Sequence, residues 1–163
     1  MAEQDQAQST SKQLMLQKIY IKDFSFESPQ APDVFATSVT PQTQLNIRSS
    51  ARQVSGDAQE VTLTLTVEAK DEDRTLFLIE LEQAGVFVIQ GYTPDEQQML
   101  VGSYCPGTLY PFAREAISDM VSRGGFPQLL LQPINFDALY AQALRERQQR
   151  NGGEPVEIPP QGH

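Results

Sequence analysis

The residues from Val61 to Glu68 alternate strictly between apolar and polar side chains, and no other segment constrains the fold as strongly. The apolar positions are Val61, Leu63, Leu65 and Val67, and threonine or glutamate follows each of them. Because successive side chains of a strand point to opposite faces, this pattern predicts a strand with one buried and one polar face. Such a strand requires a sheet and a second layer that covers its apolar face.

Three other segments show weaker strand patterns. They cover residues 20–27, a stretch that begins near residue 45 and fades at the turn 55–57, and residues 74–83, which continue as an extended segment over 86–89 beyond a turn or bulge at Gly85. Residues 28–42 contain three prolines, which remove hydrogen-bond donors, and therefore predict an ordered crossover. Short connections between the later strands favour antiparallel pairing.

The pattern changes to a helical period in the last third of the chain. A first helix over about 107–123 is predicted from the stripe Leu109, Phe112, Ala113, Ala116, Ile117, Met120 and Val121, and Gly124-Gly125 ends it. After an extended piece over 126–133, a second helix begins with Asn135 as its N-cap. Strands followed by helices predict an α+β fold, a four-stranded antiparallel sheet with two C-terminal helices.

Polar segments flank the predicted folded part. Residues 1–13 are rich in Gln and Ser, and residues 151–163 contain three Gly and three Pro, so we expect disordered tails at both ends. The expected domain therefore covers residues 14–150. Residues 1–13 lack the apolar core of a signal peptide, and no apolar run approaches the roughly 20 residues of a membrane helix. We expect a cytoplasmic protein without membrane insertion.

Charge and rare residues exclude several functions. The net charge of −9 argues against nucleic acid and against an anionic membrane surface as partners. The single cysteine, Cys105, excludes an intramolecular disulfide, and the single histidine, His163, removes the usual catalytic triads and His-based metal sites. Cys105 is expected to be a buried structural thiol, and no cofactor is expected.

Two pairs of carboxylates raise the alternative of an enzyme. Asp23 with Glu27, and Glu80 with Glu82, could supply general acid and base groups. A solvated acidic face is the favoured interpretation, because no histidine, phosphate loop or glycine-rich fingerprint accompanies them. We expect no enzymatic activity.

Two apolar patterns stay open at the level of the residues. Leu78 and Glu80 belong either to a strand that is buried on both faces near its start or to an outer surface that docks a partner. The stripe of the first helix is either intramolecular core or an oligomer interface, since Ala113 and Ala116 permit close approach of another helix.

Six segments of the chain carry a more specific signal, namely Ile19–Glu27, Ala31–Phe35, Tyr104–Pro106, Pro111–Glu115, Met120–Leu129 and Pro133–Tyr140. Taken together, they resemble the SecB family of bacterial protein-export chaperones. The resemblance covers about residues 19–140, and is weakest in the tails and in the second strand.

The resemblance implies a dimer of dimers that binds unfolded precursor proteins without ATP and delivers them to the export motor SecA. It implies that the zinc-bearing C-terminal segment of SecA docks on the acidic outer face of the sheet, at positions that correspond to Asp23, Glu27, Leu78 and Glu80. The zinc belongs to that partner. On this basis Leu78 and Glu80 are expected on the outer surface.

The resemblance also places the first helix at the dimer–dimer interface of a homotetramer, with contacts expected from Leu109, Phe112, Ala113, Ala116, Ile117 and Met120. For the groove that holds unfolded substrate, the expected lining is Phe35, Tyr104, Phe126, Leu129, Leu131 and Phe136. Binding by apolar burial and main-chain hydrogen bonds implies low sequence specificity. A carrier of small apolar ligands that uses the same groove is the alternative.

Overall fold

Four long antiparallel strands and the helices that follow them make up residues 11–152, the part of the chain that the computed structural model describes. The strands are β1 (Gln13–Glu27), β2 (Gln42–Ser55), β3 (Ala58–Asp71) and β4 (Arg74–Gln90). The helices are α1 (Pro94–Met99), α2 (Cys105–Arg123) and α3 (Phe136–Gly152); a π-helical turn (Leu100–Tyr104) joins α1 to α2, and the crossover contains a 3-10 turn (Asp33–Ala36). The predicted α+β fold is confirmed.

The two predicted tails fall almost wholly outside the described residues. The described chain enters β1 at Gln13 and leaves α3 at Gly152. Residues 1–10 and 153–163 are not described, so the prediction of disorder there remains a prediction.

The sheet has the strand order β1-β4-β3-β2, and every neighbouring pair is antiparallel. The apolar positions of β3 are fully buried, and they pack with α2 in one core. We call the face toward α2 the inner face and the opposite face the outer face. The α2 residues that are fully buried in this core are Cys105, Leu109, Ala113, Ile117 and Val121.

At Gly85 the side chain of Leu109 of α2 packs close to the backbone of the sheet. A Cβ atom there would lie 3.0 Å from Cδ2 of Leu109 and 3.1 Å from the carbonyl oxygen of Lys18. The predicted turn or bulge at Gly85 is wrong, because β4 continues through it. The irregularity lies in the partner strand, where the register shifts between Leu16 and Lys18.

β1 begins seven residues before the predicted start at Tyr20. It contains two register shifts, one at Gln17 and one at Lys22, and each inserts a residue that has no partner in β4. A bulge breaks the alternation of apolar and polar residues, so the period-2 pattern disappears from the sequence although the strand continues.

The helical part also begins earlier than predicted. Thr93 caps α1, because its hydroxyl accepts a hydrogen bond from the backbone N–H of Glu96 and the Glu96 side chain accepts one from the N–H of Thr93. Thr-Pro-Asp-Glu is thus a capping box with proline at the first helical position, and the sequence reading missed it. The predicted cap of the last helix is confirmed, since the Asn135 side chain accepts from the N–H of Ala138 at 3.0 Å.

Candidate functional site

Four phenylalanine rings from distant parts of the chain form a continuous row, which we call the aromatic cluster. Phe26 of β1 stacks on Phe77 of β4 at 6.0 Å between centroids, and Phe77 contacts Phe126 at 5.0 Å. Phe126 in turn contacts Phe35 of the crossover at 5.4 Å. Phe77 is buried, whereas Phe35 is 52% exposed, so the cluster leads from the core to the surface.

Two glycines at the end of α2 make room for this cluster. A side chain on Gly124 would collide with the ring of Phe26, and a Cβ on Gly125 would lie 3.0 Å from the ring of Phe35. Gly125 also has a φ of +86°, a conformation that favours glycine. The Gly-Gly pair therefore ends the helix and also leaves the space that the rings of Phe26 and Phe35 occupy.

A groove of about 570 Å³ runs between α3 and β2, and we call it the β2 groove. Its lining comes from β2, the helical segment before α2 and α3, and comprises Ile47, Arg48, Ser49, Ser50, Ala51, Gln98, Val101, Gly102, Phe136, Leu139, Tyr140, Ala143, Leu144 and Arg147. The α3 residues recur at intervals of three and four, so a single helix face forms the wall. β2 is an edge strand, since its only neighbour within residues 11–152 is β3.

A shallower hollow of about 420 Å³ lies where α3 begins. It is lined by Tyr104 and Phe136 together with Ser103, Gly107, Thr108, Ile134, Asn135 and Asp137. Phe136 packs edge-on against Tyr110 at 5.6 Å, and the Tyr110 hydroxyl donates a 2.6 Å hydrogen bond to the carbonyl oxygen of Gln132. Burial raises the pKa of Tyr110. The Ser103 hydroxyl also bonds the Asp137 carboxylate, so this end of α3 is fixed to the turn before α2.

The outer face of the sheet carries a group of carboxylates around one leucine. Leu78 of β4 pairs with Glu27 of β1 on one side and with Glu68 of β3 on the other, and these three residues form one row across the sheet. In a second row, Glu82 of β4 pairs with Asp23 of β1. Glu80 lies between these two rows and is exposed. We call this group, Asp23, Glu27, Glu68, Leu78, Glu80 and Glu82, the acidic face. Leu78 itself is half-buried.

A polar network adjoins the acidic face. Glu60 of β3 is 6% exposed and accepts hydrogen bonds from the Tyr20 hydroxyl, from Nζ of Lys22 at 3.0 Å and from Nε of Arg52 at 3.1 Å. These donors, the Tyr20 hydroxyl first, lower the pKa of Glu60 to about 2. Burial and the bond to Glu60 raise the pKa of Tyr20 to about 12. Glu60 is therefore a structural anion at neutral pH, and the sequence analysis did not single it out.

Catalytic chemistry finds little support in the described residues. Burial raises the pKa of the Cys105 thiol to about 12, so it is protonated at neutral pH and is no nucleophile. Within residues 11–152, no three His, Cys, Asp or Glu side chains lie close enough together to hold a metal ion. None of the helices described has the length and apolar character needed to cross a membrane.

Comparison with known proteins identifies the family. The family model described as preprotein translocase subunit SecB matches residues 6–147, most of the chain. The chain belongs to the SecB family. A protein-export protein SecB of Methylococcus capsulatus is 45% identical over 146 residues, which cover 90% of this chain and 94% of that protein. The homologue of Alcanivorax borkumensis is 49% identical over 148 residues, 87% and 94% of the two chains. SecB is thus a chaperone of protein export, as the resemblance implied.

A solved structure has the same fold. A SecB-like chaperone of Mycobacterium tuberculosis, solved in complex with a peptide from an antitoxin, matches with a TM-score of 0.57 at 19% identity. The match covers 74% of this chain and 87% of that one. At this identity the likeness concerns the fold, and it agrees with the four-stranded sheet and C-terminal helices described above.

The six residues that were expected to line the SecB substrate groove fall in two places. Phe35 and Phe126 belong to the aromatic cluster, and Tyr104 and Phe136 lie together at the start of α3. Leu129, half-buried, and Leu131, buried, lie in the segment that joins the two places. Phe136 also lines the β2 groove. The sequence analysis missed the other α3 residues and the β2 residues of that groove, although Leu139, Tyr140, Ala143 and Leu144 follow Phe136 at a helical period.

The four residues expected to dock SecA lie together on the outer face. Glu27 pairs with Leu78. Glu80 lies in the next row of the outer face, and Asp23 lies in the row after that, opposite Glu82. Leu76, in contrast, is fully buried in the hydrophobic core, and it lies at a register shift where it has no partner in β3. β4 therefore begins with two consecutive buried residues at Leu76 and Phe77. From Leu78 to Glu82, half-buried or exposed residues alternate with buried ones.

The six residues expected at the tetramer interface divide by burial. Leu109, Ala113 and Ile117 are fully buried against the chain's own sheet, where they have no surface left for a second chain. Phe112 is 47% exposed, and Ala116 and Met120 are half-buried. The interpretation as intramolecular core thus applies to Leu109, Ala113 and Ile117. The oligomer interface remains a prediction, and its exposed or half-buried candidates are Phe112, Ala116 and Met120.

Proposed function

We propose that this SecB chain is an ATP-independent chaperone that binds unfolded precursor proteins on its apolar surface and keeps them competent for export. The observation that carries the proposal is the apolar surface left open around the crossover and α3. Large side chains are exposed there, namely Phe35 at 52%, Tyr104 at 55%, Leu130 at 67% and Leu139 at 44%. Covering such surface with the apolar side chains of a client removes it from water, which favours binding.

The edge strand β2 adds main-chain recognition to this apolar surface. Its outer edge has no neighbouring strand within residues 11–152, and it borders the β2 groove. An extended client segment could pair with β2 and place every second side chain against Leu139, Tyr140 and Leu144. Main-chain hydrogen bonds do not depend on side-chain identity, which fits a chaperone with many clients. A folded protein has no such free segment and should not bind.

The acidic face is the proposed docking site for SecA. Asp23, Glu27 and Glu80 surround the half-buried Leu78, so the surface offers negative charge around a small apolar contact. This arrangement suits a partner segment that is cationic or carries a zinc ion, because charge complementarity speeds association and a central apolar contact is desolvated on binding. The face lies on the side of the sheet opposite α2, and the grooves border the inner side. Client and motor would therefore bind different surfaces of one chain.

A homotetramer, a dimer of dimers, is the proposed assembly. The outward side of α2 presents Phe112, Ala116 and Met120, and a half-exposed phenylalanine beside a small residue is a surface that another helix can cover. We further propose that the protein acts in the cytoplasm, needs no cofactor and has no enzymatic activity.

A refolding assay combined with native mass spectrometry tests the proposal. The protein should delay the refolding of a secreted precursor that has been diluted from denaturant, and a mass of four chains plus one precursor should appear. The same precursor, once folded, should give no complex. A protein that neither delays refolding nor forms a complex with unfolded precursor would contradict the proposal. A tightly copurifying lipid in that case would favour the small-ligand carrier.

A further inference from the structure

The β2 groove combines an apolar wall with positive charge. Leu139, Tyr140 and Leu144 form the wall, and the exposed Arg147 of α3 lies in the same lining. Arg48 of β2 also borders the groove, but its pairing with Thr64 places its side chain on the outer face. Within residues 11–152, neither arginine forms an ion pair. Arg147 therefore places a positive charge beside the groove of a chain whose net charge is −9. The groove is therefore built for an extended segment with apolar residues and carboxylates.

The chain itself contains such a segment directly after α3. Residues 153–163 read Gly-Glu-Pro-Val-Glu-Ile-Pro-Pro-Gln-Gly-His, with two carboxylates and two β-branched apolar residues. In an extended chain, Glu154, Val156 and Ile158 point to the same side because they are two residues apart. That side would offer one carboxylate for Arg147 and two apolar side chains for the wall.

We propose that residues 153–163 occupy the β2 groove when no client is bound and that clients displace them. The proposal rests on the proposed chaperone function for its competing ligand. The segment then acts as an intramolecular competitor, and it keeps the apolar wall covered between clients.

The lengths of the two segments are compatible with this arrangement. Arg147 and Leu144 precede Gly152 by five and eight residues, which is about 8 Å and 12 Å along a helix. Val156 and Ile158 follow Gly152 by four and six residues, and an extended chain covers about 13 Å and 20 Å over those distances. Gly152-Gly153 supplies the conformational freedom for a reversal of the chain.

A weak contact is sufficient for a measurable effect. A short tether gives an effective concentration in the millimolar range, so a segment with an intrinsic Kd of about 1 mM would fill the groove about half of the time. A competitor that fills the groove between half and nine tenths of the time weakens the apparent affinity for clients about two- to tenfold.

The experiment compares the full chain with a variant that ends at Gly152 and with the double variant Val156→Asp, Ile158→Asp. A matched control, Pro160→Ala with Gln161→Ala, leaves the charges and the apolar residues of the segment intact. The client is a permanently unfolded probe made by reducing and carboxymethylating a disulfide-bonded protein, and its binding is followed by fluorescence anisotropy. Hydrogen–deuterium exchange of the β2 amides over 47–51 is measured without any client.

The truncated and the double variants should bind the probe about two- to tenfold more tightly than the full chain, and their β2 amides should exchange faster. The control should match the full chain in both measurements. Unchanged affinity or unchanged exchange in the truncated variant would overturn the proposal. An exchange difference that grows with protein concentration would overturn it too, since the segment would then bind a second copy.

Failure of the proposed chaperone function gives a different result. In that case the full chain and all variants would fail to bind the probe, and exchange over 47–51 would still show whether the segment covers the groove. If truncation then speeds exchange, residues 153–163 do cover the β2 groove but compete with no client. That result overturns the proposal as stated.

Discussion

The hydroxyl of Tyr20 donates a hydrogen bond to the carboxylate of Glu60, although their strands are not neighbours in the sheet. β4 lies between them, so the phenol crosses β4 on the outer face. The residue that pairs with Tyr20 in β4 is Ala84, which is fully buried and leaves room for the crossing. Lys22 and Arg52 donate to the same carboxylate, and one anion thereby links β1, β3 and β2.

Replacing Glu60 by Gln should destabilise the fold at neutral pH. The variant loses a charge-assisted acceptor for three donors, and Lys22 and Arg52 are exposed enough to regain water, so we expect a loss of about 1–3 kcal/mol in the free energy of unfolding. Urea unfolding at pH 7 measures it. The control is Glu80→Gln, an exposed carboxylate on the same face, which should change stability little. Equal effects of the two variants would contradict the role of the network.

The contribution of Glu60 should also depend on pH. Its pKa is lowered to about 2 in the folded chain from an ordinary value of 4.5, so its stabilisation is present above about pH 4.5 and is lost as the pH falls toward 2. The stability difference between the wild type and Glu60→Gln should therefore shrink between pH 5 and pH 2. Urea unfolding at several pH values measures this difference. A difference that stays constant over this range would contradict the assignment.

Replacing Gly124 by Ala should disturb the aromatic cluster. The new methyl group would overlap the ring of Phe26, and overpacking of this kind costs about 1–3 kcal/mol. Thermal unfolding should show the loss, and the smaller side chain of Phe26→Leu should restore part of it in the double variant. Strictly additive effects would mean that the two residues do not interact.

Phe35→Ser should weaken client binding with little change in stability. The ring is half-exposed at the surface end of the aromatic cluster, so its removal leaves the buried contact between Phe77 and Phe126 intact. The Kd for unfolded precursor should rise severalfold in anisotropy titrations. Val54→Ser, an equally exposed apolar residue at the end of β2, is the control and should bind as the wild type does. Loss of binding in both variants, or in neither, would argue against this surface.

Leu78→Arg and Glu80→Lys should abolish SecA binding while the oligomer stays intact. Both changes place positive charge in the centre of the acidic face, and neither residue belongs to the inner core. Titration calorimetry measures the binding of SecA, and native mass spectrometry measures the mass of the oligomer. Asp73→Lys in the turn between β3 and β4 makes the same change of charge as Glu80→Lys outside the acidic face and should retain SecA binding. Loss of the tetramer in Leu78→Arg would assign this residue a structural role instead.

Ala116→Asp should shift the tetramer toward dimers. The position is half-buried on the outward side of α2, and a charge there would be desolvated in an interface. Phe112→Asp is a second variant at a more exposed position, and Ala138→Asp on α3 is the matched control. Native mass spectrometry measures the proportions of tetramer and dimer. An unchanged mass in both α2 variants, with normal circular dichroism, would place this side of the helix outside any interface.

The sequence predicts the regular parts of this fold and fails where one residue interrupts a pattern. β3 has no register shift along its apolar core, so Val61 to Val67 could be read directly. β1 is interrupted at Gln17 and Lys22, and the sequence analysis assigned only residues 20–27 of it to a strand. A bulge leaves no signature that distinguishes it from the end of a strand.

The candidate site shows the same limit. The resemblance to the SecB family led us to expect Glu80 on the outer surface, where it is exposed. Glu60 lies on the same face and is the same residue type, and it is nevertheless buried. The difference arises from Tyr20, which is far away in sequence and covers β4. The patterns in the sequence could not predict that the four rings of the aromatic cluster contact one another, since the rings come from β1, the crossover, β4 and the segment after α2. The capping box at Thr93 was readable and was overlooked.

The open edge of β2 has a further consequence for the behaviour of the protein in solution. Two identical molecules can join through such an edge and extend one sheet into the next, which is how many proteins begin to aggregate. A net charge of −9 opposes this by repulsion between copies. The acidity of the chain therefore protects its colloidal stability, and preparations brought close to the isoelectric pH or to high ionic strength should be the first to precipitate.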